Sequence, residues 1–254
     1  MSVLLLRLAG PLQAWGSSSR FARRGTERAP TKSGVIGLLA AAQSRPRTAD
    51  ISDLVALRFG VRVDQPGTRV RDFHTAHHAD SGKAMPVSVR FYLSDAVFVA
   101  GVEGDRELLL SLQSALEEPG FLPFLGRRSC PPSRPIAMGP PVDAALEDAL
   151  REAPWQAAQW YRDRLANTAR WDAGSEPREE LDLWVDCPAG ETPDHSVRDI
   201  PLSFDPRHRR YGPRGVRTEL VPTPADPTPS RSPHHDPVAG LTPLAPGSAS
   251  PRND

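Results

Sequence analysis

Between Val3 and Gln43 the chain passes from an alternating apolar strand, through a basic loop, into a helix of small and aliphatic residues. Leu4, Leu6 and Leu8 fall on one side of the first segment and Val3, Leu5 and Arg7 on the other, the two-residue period of a strand. Gly10-Pro11 ends it. Thr31 or Ser33 then caps a helix to about Gln43, whose Gly34, Gly37 and Ala40 to Ala42 permit close packing. A strand, a loop and "TKSG" opening a helix invite comparison with a phosphate-binding P-loop. Thr26 and Thr31 stand where that motif needs glycine, which argues against nucleotide hydrolysis. What remains is Lys32 at a helix N-terminus, a place for one backbone phosphate, ringed by Arg20, Arg23, Arg24 and Arg28.

The following segments read as a short helix over Ile51 to Arg58, strands over Phe59 to Asp64 and Arg69 to Thr75, and a polar hairpin-like stretch from Ala76 to about Ala84. "DAVFVAGV" predicts a buried strand, and Asp105 caps a helix with Leu108, Leu109, Leu112 and Leu116 on one face. This order is that of a split βαβ, ferredoxin-like unit, the arrangement also used for RNA recognition, so an α+β fold is expected. After the compact Pro- and Arg-rich stretch ending near Gly139, Val142 to Glu152 predicts an acidic helix, Leu181 to Asp186 a strand, and Ile200 to Val221 a basic segment ending in a strand. From Pro222 onward nine prolines fall in 33 residues with almost no apolar pattern, the composition of a disordered tail.

A formal net charge of zero hides a split along the chain. Through Thr75 there are twelve basic residues against five acidic, whereas Asp143 to Asp182 holds ten acidic against five basic, so opposite faces have different partners. Only Lys32 and Lys83 of the 31 basic residues are lysines. Arginine's planar fork suits phosphates and stacking on bases, but a GC-rich coding sequence gives the same ratio, so position carries the argument. Gln13 and Trp15, just past a strand end, suit a base edge and a base face; packing is the plainer role for a tryptophan there. "GRRSCPPSRP" holds Arg127, Arg128 and Arg134 in a proline-stiffened segment, and "FDPRHRRYGPR" adds Arg207, Arg209, Arg210 and Tyr211.

No apolar run approaches a membrane span or a signal-peptide core, which points to a cytoplasmic protein without a membrane partner. Cys130 and Cys187 imply neither a disulfide framework nor zinc, and His74, His77 and His78 lack Cys or carboxylate companions at ligand spacing, so no metal or cofactor is expected. The motifs GxSxG and HExxH are missing. His74 with Tyr92 and Lys83 remains a candidate set for metal-free RNA cleavage.

Five blocks in order, "LLLRLAGPLQAWG", "PTKSGVIGLLAAA", "RDFHTA", "FYLSDAVFVAGV" and "FLGRRSCPPSRPI", resemble the CasD family of type I-E CRISPR surveillance complexes (Cascade), the subtype I-E branch of the Cas-five family. The resemblance runs from Val3 to about Met138, with a looser match over "RDIPLSFDPRHRRY". It implies a repeat-associated (RAMP) protein: a ferredoxin-like palm over residues 1–140, a β-hairpin thumb at about 75–90, a smaller C-terminal region at 141–221 and the tail at 222–254. By the same resemblance the protein is a non-catalytic subunit that binds the repeat-derived 5′ handle of CRISPR RNA (crRNA) and caps the backbone filament. It would contact CasC and CasA, assemble with CasB and CasE, and meet target DNA through the complex. Handle binding falls on Gln13 to Ser33, Arg71, His74, Arg127 and Arg128. The related subtype I-C member is a metal-independent endoribonuclease, which makes cleavage of repeat RNA the competing expectation. This chain's hairpin looks short for a thumb, and its tail has no expected counterpart.

Overall fold

Leucines 4, 6 and 8 of β1 (Ser2–Ala9) are all fully buried, as their alternation requires. In the computed structural model, which describes residues 1–17, 23–171 and 180–224, β1 is followed by β2 (Leu12–Gln13), β3 (Arg23–Arg24), α1 (Lys32–Ala42) and α2 (Ser52–Val55). Next come β4 (Arg58–Gln65), β5 (Thr68–His74), β6 (Ser88–Ser94), β7 (Val97–Gly104) and α3 (Arg106–Glu117). The rest is α4 (Leu146–Glu152), α5 (Gln159–Trp171), β8 (Glu180–Asp186), β9 (His195–Ser203) and β10 (Arg210–Pro222). Arg20 and everything beyond residue 224, and so nearly all of the expected tail, lie outside the described residues.

Six strands form one antiparallel sheet in the order β1-β7-β4-β8-β10-β9. The C-terminal strands therefore continue the N-terminal sheet. One face packs Leu4, Phe98 and Val61 against Ile36 and Leu39 of α1 and Leu109 and Leu112 of α3. Val3, Val99, Leu181 and Leu183 pack on the other face against Leu146 and Leu150 of α4. Arg62 reaches through this second layer to the end of α4, donating to the carbonyls of Leu150 at 2.6 Å and Ala153 at 2.7 Å while pairing with Asp64. These are carbonyls that a helix end leaves without a partner. Burial pushes the Asp64 carboxyl up from its ordinary range, against the pull of Arg62.

Asp105 caps α3 as expected, accepting from the Leu108 amide at 3.1 Å. Its replacement by alanine is expected to cost about 1 kcal/mol, read as a melting temperature lower by roughly 2–4 °C. The C-terminal half departs from expectation: it holds a helix, α5, that the sequence pattern did not announce, and two further segments differ. The acidic helix starts at Leu146 rather than Val142, because residues 136–142 lie along the free edge of β1 through the bridges Leu6↔Ala137 and Val3↔Val142. The basic segment from Ile200 belongs to a hairpin: β9, to which the sequence pattern assigned no strand, pairs with β10 from Ser203↔Arg210 to His195↔Val216. Its register is irregular, which is why its sequence lacks clean alternation.

The second sheet is built on β6, with β5 along one edge and short β2 and β3 on the other. β5 and β6 make a hairpin whose connecting residues 75–87 are exposed.

Candidate nucleic-acid interface

After β1 the chain turns back at Gly10-Pro11, and β2 pairs with the end of β6. That places Gln13 inside the protein. Its Nε2 donates to the carbonyls of Leu8 at 3.0 Å and Ala96 at 2.7 Å, and its Oε1 accepts from Trp15 Nε1 at 3.0 Å. Both side chains are 0% exposed. A Cβ at position 34 would lie 2.8 Å from the Trp15 ring, so only glycine lets α1 close over the indole. The expectation that Gln13 and Trp15 address bases therefore gives way to a structural role: they satisfy buried backbone groups and anchor the basic loop.

Lys32 is likewise not free. Its Nζ pairs with Asp186 at 2.9 Å, and its backbone amide donates to Asp199 at 2.8 Å. The anion site expected at the start of α1 is filled by the protein's own carboxylate. Arg214 completes the network, bonding Asp199 through Nε and Nη2 and Asp186 through Nη1, all at 2.8–2.9 Å. Ser33 is buried beside Thr31, whose hydroxyl caps α1 by accepting from the Gly34 amide.

Above this network lies a groove of about 1720 Å³. Its floor is the Ser33, Gly34, Gly37 and Ala41 side of α1; loop residues 121–131 form one wall and the β9–β10 connection the other. Gly126, at φ +83°, allows the first wall to approach: a Cβ there would lie 1.7 Å from the Ala14 carbonyl oxygen. Among the described residues, nine arginines line the groove and no Asp or Glu does. Three are engaged: Arg45 with Asp53, Arg127 with backbone carbonyls, and Arg198 with the Tyr211 carbonyl. The other six, Arg24, Arg47, Arg128, Arg207, Arg209 and Arg210, are exposed and have no carboxylate partner among the described residues. Exposed Phe121, Leu122 and Leu202 share the lining with Phe204 and Tyr211, so the groove offers cations together with apolar and aromatic side chains. Uncompensated positive charge in a concave site concentrates anions.

The groove thus brings together Arg24, Ser33, Arg127, Arg128, Arg209, Arg210 and Tyr211 from segments far apart in sequence. Arg28 and Arg134 are exposed outside it. Arg71 lies on the hairpin, stacked 4.9 Å over exposed Phe73, and His74 contacts the Asp72 carboxylate. Phe91 is a participant that sequence reading missed: Arg69 stacks on it at 4.3 Å and Arg23 at 5.4 Å. Arg47, Phe121 and Phe204 were also missed, since nothing local marks a loop residue as the wall of a distant groove. Among the described residues there is no cluster of three or more potential metal ligands and no helix long and apolar enough to cross a membrane.

A family model described as "CRISPR-associated protein (Cas_Cas5)" matches residues 3–217, a span that includes every arginine of the groove. The chain belongs to this Cas5 family. "CRISPR system Cascade subunit CasD" of Escherichia coli (strain K12) is 37% identical over 159 residues, covering 54% of this Cas5 chain and 70% of its relative. A solved structure titled "Crystal structure of Cas protein" is 40% identical with a TM-score of 0.67, covering 89% of this chain and all of the other. A chain of a "CRISPR RNA-guided surveillance complex" is 32% identical with a TM-score of 0.70, covering 88% and 91%.

Proposed function

We propose that this Cas5 protein is a CasD-type subunit of a Cascade surveillance complex, holding the 5′ handle of crRNA in its arginine groove and capping the backbone filament without catalysis. The observation that carries the reading is the groove itself: among the described residues, six arginines without carboxylate partners, no acidic lining residue, and aromatic side chains in the same lining. Phosphates of a kinked single strand suit the guanidinium groups, and bases suit the rings. The relatives named as a Cascade subunit and as part of an RNA-guided surveillance complex support it. So does topology. The succession β1-α1-β4-β7-α3, with residues 136–142 returning along β1, fits a ferredoxin-like palm, and the β5–β6 hairpin fits the thumb. CasC and CasA are the contacts this role requires, with CasB, CasE and target DNA reached through the assembly.

The ribonuclease reading has less behind it. Along the hairpin His74 pairs with Ser88 and Tyr92 with Val70, four residues apart, which separates the backbones by roughly 13 Å. Tyr92 is also buried beneath Arg127.

The test is a labelled repeat RNA incubated with purified protein in EDTA, then split between native and denaturing gels at two salt concentrations. A shift that weakens with salt, on intact RNA, is the expected result. A discrete cut upstream of the handle sinks the non-catalytic reading, and a shift indifferent to salt sinks the groove as a phosphate site.

A further inference from the structure

Arg127 lines the groove, yet its donors are turned inward. Nη1 donates to the Phe91 carbonyl of β6 at 3.0 Å, and Nη2 donates to the carbonyls of Arg24 at 3.1 Å and Gly25 at 3.2 Å. The guanidinium plane also sits 4.6 Å from the centroid of the buried Tyr92 ring. One side chain thus joins the hairpin, the basic loop and the groove wall. Among the described residues the direct ladder between β3 and β6 consists of two residue pairs, Arg23↔Val89 and Arg24↔Arg90, and this clamp adds three hydrogen bonds that tie the same elements together. Its neighbour Arg128 is exposed and has no partner among the described residues.

The two arginines of β3 look in different directions. Arg24 lines the groove, whereas Arg23 stacks over Phe91 on the hairpin beside Arg69. We infer that Arg127 is a positioning residue rather than a phosphate ligand: by pinning β3 to β6 it aligns groove and hairpin as two successive contact surfaces for one single strand. The inference rests on the reading of the groove as an RNA site. It assigns phosphate contact on this wall to Arg128 and gives Arg127 the role of making the second surface reachable.

Chain length and salt separate the two roles. The full chain is titrated with single-stranded RNA of roughly 5 and roughly 14 nucleotides, within the range of single-strand site sizes. Wild type is expected to gain affinity with length. Arg127→Ala and Arg127→Lys are expected to lose most of that gain while binding the short RNA within about twofold of wild type and with an unchanged salt slope. Lysine keeps the charge but lacks the planar fork that reaches three carbonyls and stacks on Tyr92. Arg128→Ala is expected to show the reverse: weaker short-RNA binding, a salt slope lower by roughly 0.7, and an intact length gain. The inference is overturned if Arg127→Ala lowers the short-RNA slope as Arg128→Ala does and lysine restores it. A loss equal at both lengths, the mark of a general loosening, overturns it too. Wild-type protein that binds neither RNA in a salt-dependent way removes the reading of the groove, a result distinct from either of these.

Discussion

Arg214→Met is expected to lower the melting temperature by about 10 °C. The reason is what it leaves behind. Asp199 is 0% exposed and Asp186 nearly buried, and Arg214 is bonded to both. Burial works against the charge of Arg214, but its bonds to Asp199 and Asp186 more than restore it, holding the guanidinium above its ordinary value. Removing one member of such a set strands the remaining charge in a poorly solvated place, at about 3–5 kcal/mol, whereas a simple surface ion pair is worth about 0–1. The double variant Arg214→Met with Asp199→Asn is expected to recover part of the loss, since an amide oxygen can still accept from the Lys32 amide without bringing a buried charge. Thermal unfolding of the three proteins checks this. A drop of under about 2 °C for Arg214→Met would show that the network is hydrated and that α1 is not held by it.

That same network explains where sequence reading stopped. β1, β4, β8 and the Asp105-capped α3 were legible because their signals are local: alternation, a cap, a leucine stripe. The role of Lys32 was not, because its partners Asp186 and Asp199 lie more than 150 residues further on and occupy the very N-terminus where a phosphate was expected. Gln13 and Trp15 were misread for a related reason. A polar residue just past a strand suggests an exposed edge, but the β2–β6 pairing folds that edge inward, where unpaired carbonyls at Leu8 and Ala96 need a donor. The basic segments around Arg128 and Arg209 were legible only as separate stretches of sequence. Their meeting across α1 follows from the β9–β10 hairpin, which irregular register concealed.

Replacing Arg128, Arg209 and Arg210 together by alanine is expected to weaken single-stranded RNA binding by about 100-fold at moderate salt. Each guanidinium contact to a phosphate contributes on the order of 1 kcal/mol, and each factor of ten in affinity needs about 1.4. The salt slope is expected to fall by roughly 2, from roughly 0.7 per phosphate contact on a single strand. The melting temperature should stay within about 2 °C of wild type, because none of the three has a carboxylate partner among the described residues to lose. Arg134→Ala is the matched control: exposed and cationic like the others, but outside the groove, and expected to change affinity by less than about twofold. If the control weakens binding as much as one third of the triple change in free energy, diffuse surface charge rather than the groove holds the RNA. If affinity falls with the slope unchanged, the three arginines act by shaping the walls around Phe121 and Tyr211, and stacking rather than phosphate contact dominates the site.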